Sequence, residues 1–150
     1  MKLDRRFLRQ ALVWIGLAAL VYFGNVELQS WMGRRALEDT GLEIHSYEEG
    51  LALAARQDKP VLAGLSAIWC SSCRTFDQDV LGDTEVRRAI EDDYVFVRVE
   101  YGDDEGKAFR ERYGVSGFPV FMVLEPDGDL VRPIPTTYDA DEFLRALRRG

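Results

Sequence analysis

Residues 61–76 have the sequence VLAGLSAIWCSSCRTF, and the interpretation of the whole chain starts from them. The run over 61–67 is short and apolar, which is typical of a buried strand. A helix is predicted over 70–81, directly after Trp69. The pair Cys70 and Cys73 therefore lies where a strand has ended and a helix begins, the place where α/β sheets carry their chemistry.

Helices and strands alternate around this unit. The pattern S-x-x-E at Ser46 and Glu49 predicts a capping box and a helix that ends near Gln57. The other predicted elements are a helix over 85–91, a strand over 94–101, a helix over 105–113, strands over 120–124 and 130–134 joined by a Pro-Asp-Gly-Asp turn, and a last helix that begins after Asp139 or Asp141. This order predicts an α/β fold with a mixed central sheet flanked by helices.

The composition excludes several classes of protein. A length of 150 residues fits one domain, and an apolar fraction of 47% is enough for a packed core. From Glu27 onward the net charge is −10, so we expect no nucleic-acid partner, since phosphates require a basic face. Two cysteines and one histidine cannot close a four-ligand zinc site within one chain, and they exclude a multi-disulfide scaffold.

An uncharged run over residues 10–26 follows the basic residues Lys2, Arg5, Arg6 and Arg9. A helix of that length spans about 26 Å, close to the roughly 30 Å of a bilayer's hydrocarbon core. Basic residues before a span keep the N-terminus in the cytoplasm. We therefore predict a single-pass helix in the inner (cytoplasmic) membrane, with the N-terminus inside and the remaining chain in the periplasm.

Two other interpretations of this run are weaker. A cleaved signal peptide has the same charge layout, but both candidate cleavage sites place a large residue, Tyr22 or Leu28, at position −3. A buried amphipathic helix would have a polar face, whereas the run is apolar all round. The predicted segments are a basic cytoplasmic segment over 1–9, a transmembrane anchor over 10–27, a polar linker over 28–43 and a globular domain over 44–150.

Cys70 and Cys73 carry the predicted chemistry. A helix N-terminus offers unpaired N–H groups and a partial positive charge, which stabilise a thiolate at the first cysteine. The spacing lets the second cysteine reach the first and displace a mixed disulfide. So short a loop constrains little chain entropy, which favours a redox role over a structural bridge. Two alternatives stay open: a pair of inert buried thiols, or half of a metal site shared with a partner.

With Trp69 directly before the cysteines, and Gly117-Phe118-Pro119 just before a later strand, the sequence resembles the thioredoxin family. The resemblance implies a thioredoxin-like fold in which the peptide bond before Pro119 is cis and the proline packs opposite the cysteines. It also implies that Trp69, Phe118 and Pro119 line the groove that binds an extended substrate backbone. The alternative for Pro119 is an ordinary proline at the start of a strand.

A narrower resemblance comes from residues 67–77, AIWCSSCRTFD, followed by Val80 and the segment 83–86. This pattern looks like the periplasmic thioredoxin-like domain at the C-terminal end of the DsbD-type thiol:disulfide interchange proteins, and the resemblance covers about residues 44–149. Those proteins also have a multi-span electron-conducting region, and here one anchor stands in its place. We therefore expect a separate membrane or periplasmic thiol protein as the electron donor.

The sequence departs from the thioredoxin pattern at the position of a buried aspartate, six residues before the first cysteine, where Gly64 stands. The candidates for proton handling are then Asp77, one turn beyond Cys73, and Glu100, at the end of a predicted strand. The ordinary alternative for both carboxylates is a solvated surface charge.

Three further positions bear on the direction of electron flow or on the thiols. The pair Ser71-Ser72 has no histidine of the kind that stabilises the reduced form of a strong oxidant, which favours a reductant. Arg74 is a candidate for lowering a thiol pKa or steering acidic partners, with a solvated side chain as the alternative. We interpret His45 as structural or exposed, since it is remote from the motif in sequence.

Two functions follow from these observations. The first is a membrane-anchored thiol:disulfide oxidoreductase that reduces protein disulfides on the extracytoplasmic side, with Cys70 as nucleophile, Cys73 as resolving thiol and no cofactor beyond the dithiol. The second is a thioredoxin-fold assembly or delivery module that uses the dithiol as ligands for a soft ion such as Cu(I). The second would be favoured by extra ligands near the pair, and the nearest methionine, Met122, is predicted to lie in the core.

Overall fold

The computed structural model describes residues 5–149. Its elements are α1 (Arg5–Asp39), α2 (Tyr47–Gln57), β1 (Val61–Ser66), α3 (Ser71–Phe76) continued by a π-helical turn (Asp77–Leu81), α4 (Thr84–Asp93), β2 (Val95–Glu100), α5 (Asp104–Tyr113), β3 (Val120–Leu124), β4 (Leu130–Ile134) and α6 (Ala140–Leu147). Residues 1–4, which include Lys2 of the predicted basic segment, and residue 150 lie outside the described part of the chain.

The four strands form one mixed sheet in the order β2-β1-β3-β4. Strand β1 pairs in parallel with β2 and antiparallel with β3, and β3 forms the predicted hairpin with β4. His45 adds an isolated parallel bridge to Val97, which makes its role structural, as predicted. The predicted α/β fold with a mixed sheet is confirmed, and β1 delivers the chain from the centre of the sheet to the cysteines.

Each face of the sheet has its own hydrophobic core. Phe76 of α3 lies in one of them, stacked on Phe121 of β3 at 4.6 Å between ring centroids and edge-on to Phe143 of α6 at 5.2 Å. The opposite core contains Ala54 of α2 and Phe109 of α5. Because side chains alternate along a strand, successive residues of β1 serve the two cores in turn, and all six are buried.

Aspartate side chains cap three of the helices at their N-termini. The carboxylates of Asp83, Asp103 and Asp139 each accept a backbone N–H in the first turn of the helix that follows. At Ser46 the hydroxyl instead donates to the Glu49 carboxylate at 2.8 Å, without a side-chain cap to the backbone. The helix still begins there, but the reciprocal capping box expected from the sequence is not formed.

The prediction of a polar linker over 28–43 is wrong for most of its length, because α1 runs unbroken to Asp39. The segment after the apolar run packs on the globular domain, with Ser30 and Ala36 buried. Tertiary packing therefore maintains the helix where the sequence has no clear period. The chain then turns at Gly41, whose φ of +70° suits glycine. Before this docked segment, α1 is apolar, exposed and long enough to cross a membrane.

Candidate active site

Cys70 and Cys73 form a disulfide at the start of α3, with 5.3 Å between their Cα atoms. Cys70 is the N-cap residue of the helix, and its residue exposure of 8% exceeds the 1% of Cys73. Cys70 is thus the less deeply buried of the two cysteines.

Two donors surround the sulfur of Cys70. The backbone N–H of Cys73 donates to Sγ of Cys70 at 3.1 Å, and the hydroxyl of Ser72 lies 3.1 Å from the same atom. Hydrogen bonds of this kind stabilise negative charge on the acceptor. These two donors lie where the sequence places the start of the helix, and the thiolate at Cys70 stays a prediction for the reduced form.

Aromatic rings stand beside the disulfide. Trp69 is 47% exposed and meets the ring of Phe118 edge-on at 5.6 Å. The ring of Phe118 also contacts Tyr101, with 4.4 Å between the ring centroids. Both rings pack against the cluster formed by Ala67, Cys70 and Cys73. The Phe118–Pro119 peptide bond is cis, as the resemblance implies. The structure thus brings Trp69 and Phe118 together near the cysteines, and Pro119 directly follows Phe118 in the chain.

Glu100 holds the loop that leads into the cysteines. Both of its carboxylate oxygens lie 3.1 Å from the backbone nitrogen of Ile68 and accept its N–H. Burial raises the pKa of Glu100, and the hydrogen bond from Ile68 offsets part of that shift. Glu100 is therefore not a solvated surface charge, and its carboxylate is committed to the backbone two residues before Cys70.

Asp77 is buried, so the alternative of a solvated surface charge is wrong for this residue as well. Its Oδ1 accepts from the guanidinium of Arg98 at 2.8 Å, and Arg98 also donates to the hydroxyl of Ser66 at 2.8 Å. Oδ2 of Asp77 is buried and has no hydrogen-bond partner among residues 5–149. Desolvation by burial raises the pKa of Asp77, and the nearby Arg98 compensates only in part.

The ring of Phe121 lies beside Gly64, the position where the thioredoxin pattern has an aspartate. A Cβ atom at Gly64 would lie 2.7 Å from Cε1 of Phe121, closer than real side chains approach. The ring is itself buried in the core with Phe76 and has no free space to move into. A carboxylate at position 64 is thus sterically excluded unless the core is rearranged.

Arg74 does not contact the thiols through any hydrogen bond that the structure records. Its guanidinium donates to Oε1 of Gln29 on α1 at 2.7 Å. The alternative of a merely solvated side chain is wrong, since this contact joins α3 to α1.

Sequence reasoning missed Arg98, Ser66 and Tyr101. Arg98 had a recognisable signal, because a lone cation inside the apolar strand YVFVRVEY needs a buried partner. The identity of that partner depends on the register of β1 and β2, which places Arg98 opposite Gly64. Tyr101 gave no signal, since it resembles any aromatic residue at the end of a strand.

The mixed four-stranded sheet, the Cys-x-x-Cys disulfide after β1 and the cis-proline before β3 define a protein of the thioredoxin fold. Residues 43–126 match the sequence model of the Thioredoxin-like family, and the chain belongs to that family. The family resemblance inferred from the motifs is therefore confirmed.

Relatives and solved structures agree with this assignment. The chain is 32% identical over 94 residues to the thiol:disulfide interchange protein DsbD of Neisseria meningitidis serogroup A, a match that covers 62% of this chain but 16% of that protein. A thioredoxin from Thermus thermophilus superposes with a TM-score of 0.65 at 31% identity, covering 72% of this chain and 85% of its own. The reduced C-terminal domain of Neisseria meningitidis DsbD superposes with a TM-score of 0.57 at 26% identity. This match covers 67% of this chain and 90% of that domain.

The buried pair of Asp77 and Arg98 predicts strong energetic coupling. Asp77→Leu or Arg98→Met alone leaves one buried charge without its partner, and we expect each to lower the free energy of unfolding by about 3 kcal/mol. The double variant removes both charges, so its free energy of unfolding should fall by clearly less than the sum of the two single losses. Urea unfolding of the full chain in detergent measures this, and additive losses would contradict the coupling.

Proposed function

We propose that this protein is a membrane-anchored, extracytoplasmic thiol:disulfide oxidoreductase that reduces protein disulfides. The observation that carries the proposal is the asymmetry of the cysteine pair: Cys70 is less deeply buried, at 8% exposure against 1% for Cys73, and its sulfur receives two hydrogen-bond donors. The exposed Trp69 beside Phe118 and the cis bond to Pro119 support a groove for an extended substrate backbone.

The proposed reaction transfers two electrons from the dithiol to the substrate. The Cys70 thiolate attacks one sulfur of the substrate disulfide, forms a mixed disulfide and releases the other sulfur as a thiolate that takes up a proton. Cys73 then loses its proton and attacks Sγ of Cys70, which closes the Cys70–Cys73 disulfide and releases the second substrate thiol. A donor dithiol, which becomes a disulfide, restores the reduced enzyme.

We assign the proton from Cys73 to Asp77. Residues four apart are neighbours on a helical surface, and both side chains are buried in the same short segment. The unpartnered Oδ2 is available to accept a proton, and the raised pKa makes Asp77 a stronger base than an exposed aspartate. Glu100 is the weaker candidate because both of its oxygens already accept the Ile68 N–H.

The membrane location rests on α1. Its N-terminal part is apolar and exposed on all sides, as expected for a helix that contacts lipid. The basic residues before it favour a cytoplasmic N-terminus and a periplasmic thioredoxin-like domain. The relatives of the DsbD type support the same compartment, with protein disulfides as substrates and a membrane or periplasmic thiol protein as donor.

The reduction potential tests the direction of electron flow. We expect a value near the thioredoxin range of about −270 mV, because Ser71-Ser72 offers no histidine to stabilise the reduced form. The measurement equilibrates the full chain in detergent with glutathione buffers and counts free thiols by alkylation. A value near about −120 mV would make the protein an oxidant.

Replacing the resolving thiol should trap the substrate. Cys73→Ser leaves Cys70 able to attack but removes the group that displaces the mixed disulfide, so covalent complexes should accumulate. Non-reducing electrophoresis after alkylation of membranes detects them. Cys70→Ser is the matched control and should trap far less. Equal trapping by both variants would contradict the assigned roles.

The pH dependence of resolution tests Asp77. Asp77→Asn keeps an acceptor for Arg98 but removes the base, so a preformed mixed disulfide at Cys70 should resolve at least about tenfold more slowly at pH 7. The two rates should converge as the pH rises through the usual thiol pKa of about 8.5, where Cys73 ionises without help. Glu100→Gln is the control and should retain the wild-type profile. If Glu100→Gln slows resolution and Asp77→Asn does not, Glu100 rather than Asp77 accepts the proton from Cys73.

The alternative of a soft-metal delivery module has no specific observation in its favour. Within residues 5–149 no group of three or more His, Cys, Asp and Glu side chains is placed to hold a metal, and Met122 is buried in the core.

A further inference from the structure

The segment of α1 beyond the apolar run is docked on the active-site loop and on α3. Gly33 lies so close to the backbone carbonyl of Ile68 that a Cβ atom there would collide with it. Gln29 accepts the hydrogen bond from Arg74, and Ser30 and Ala36 are buried nearby. The contacts involve backbone as well as side chains, so α1 and the cysteine-bearing segment are packed as one body.

The apolar part of α1 itself also reaches the active site. Tyr22, Asn25, Val26 and Gln29 line a groove with Trp69, the residue directly before Cys70. Three of these four belong to the uncharged run over 10–26 that we assign to the membrane. From Tyr22 to Gln29 the helix rises by about 10 Å, slightly more than the roughly 5–8 Å of the headgroup layer on one side of a bilayer.

No flexible tether separates the span from the domain. The helix α1 is continuous from Arg5 to Asp39, so the height of the domain above the bilayer is set by the docking contacts. Charge would not bring the domain there, since the chain from Glu27 onward is strongly acidic and biological membranes are mostly anionic. The close approach therefore depends on the docked helix.

We propose that α1 holds the part of the domain around Trp69 and Cys70 at the bilayer surface. We also propose that the redox partner of this protein is an integral membrane protein whose cysteine pair lies in the headgroup layer. This inference rests on the proposed membrane-anchored function and specifies the partner of the same site. A partner sulfur must approach beside Trp69, and Trp69 lies against the membrane end of α1. Soluble proteins with disulfides far from the bilayer are then poorer substrates.

The depth of Trp69 provides the first test. The variant Trp14→Phe with Trp31→Phe leaves Trp69 as the single tryptophan, and the full chain is reconstituted in phosphatidylcholine vesicles that carry bromine on the upper part of the acyl chains. We expect the bromine to quench at least a third of the Trp69 fluorescence. The matched control has seven additional helical residues after Glu27, which raise the domain by about 10 Å and rotate it by only about 20°. Quenching should largely disappear in this control.

The second test measures partner choice with two transmembrane model peptides. One carries a disulfide loop directly after its span, and the other carries the same loop beyond a helical spacer of twenty residues. We expect the reduced wild-type chain to reduce the near loop at least tenfold faster than the far loop. The seven-residue insertion should abolish this preference and leave reduction of a soluble disulfide unchanged.

The outcomes separate this inference from the proposed function. If Trp69 is not quenched, or both loops react equally in a chain that stays in alkali-washed membranes and reduces soluble disulfides, only the inference is overturned. If the chain is released by the alkaline wash, both the anchor and the inference are overturned. If it stays in the membrane but reduces no disulfide, the proposed activity fails while the quenching still reports the position of Trp69.

Discussion

The backbone of Ile68 is held at both its N–H and its carbonyl, and the geometry of the active site depends on it. Its N–H is accepted by Glu100, at the end of β2, while its carbonyl faces Gly33 of α1. The sheet and the long helix thus both determine where the chain lies two residues before Cys70. With this loop fixed, α3 begins at a defined point, and the sulfur of Cys70 meets the donors of its first turn.

A second constraint acts beneath the cysteines. The core below α3 is filled by stacked aromatic rings, and one of them, Phe121, occupies the space beside Gly64. The buried acid of the site is Asp77 on the π-helical turn, where Arg98 from β2 balances its charge. The extra residue that a π-helical turn accommodates changes the direction of the side chains after Phe76. Asp77 lies in this turn, and its carboxylate contacts Arg98 of β2.

Much of this architecture could be predicted from the sequence, because hydrophobic periodicity and the Cys-x-x-Cys pattern are local. The strands, the start of the last helix after Asp139, and the cis bond before Pro119 follow from residues close together in the chain or from the family resemblance. The continuation of α1 through 28–39 could not be predicted in this way, since its stability comes from contacts with Ile68 and Arg74, far away in sequence. The partners of Asp77 and Glu100 were hidden for the same reason.

The placement of the acid on the helix rather than on the sheet has a mechanical consequence. Cys70, Cys73 and Asp77 belong to one uninterrupted helical segment, from the cap of α3 into the π-helical turn. If a partner pushes this segment slightly against the sheet as it docks, the three groups shift together and their mutual spacing is preserved. An aspartate on β1 would stay behind with the sheet. In this chain the proposed base, Asp77, moves together with the two cysteines.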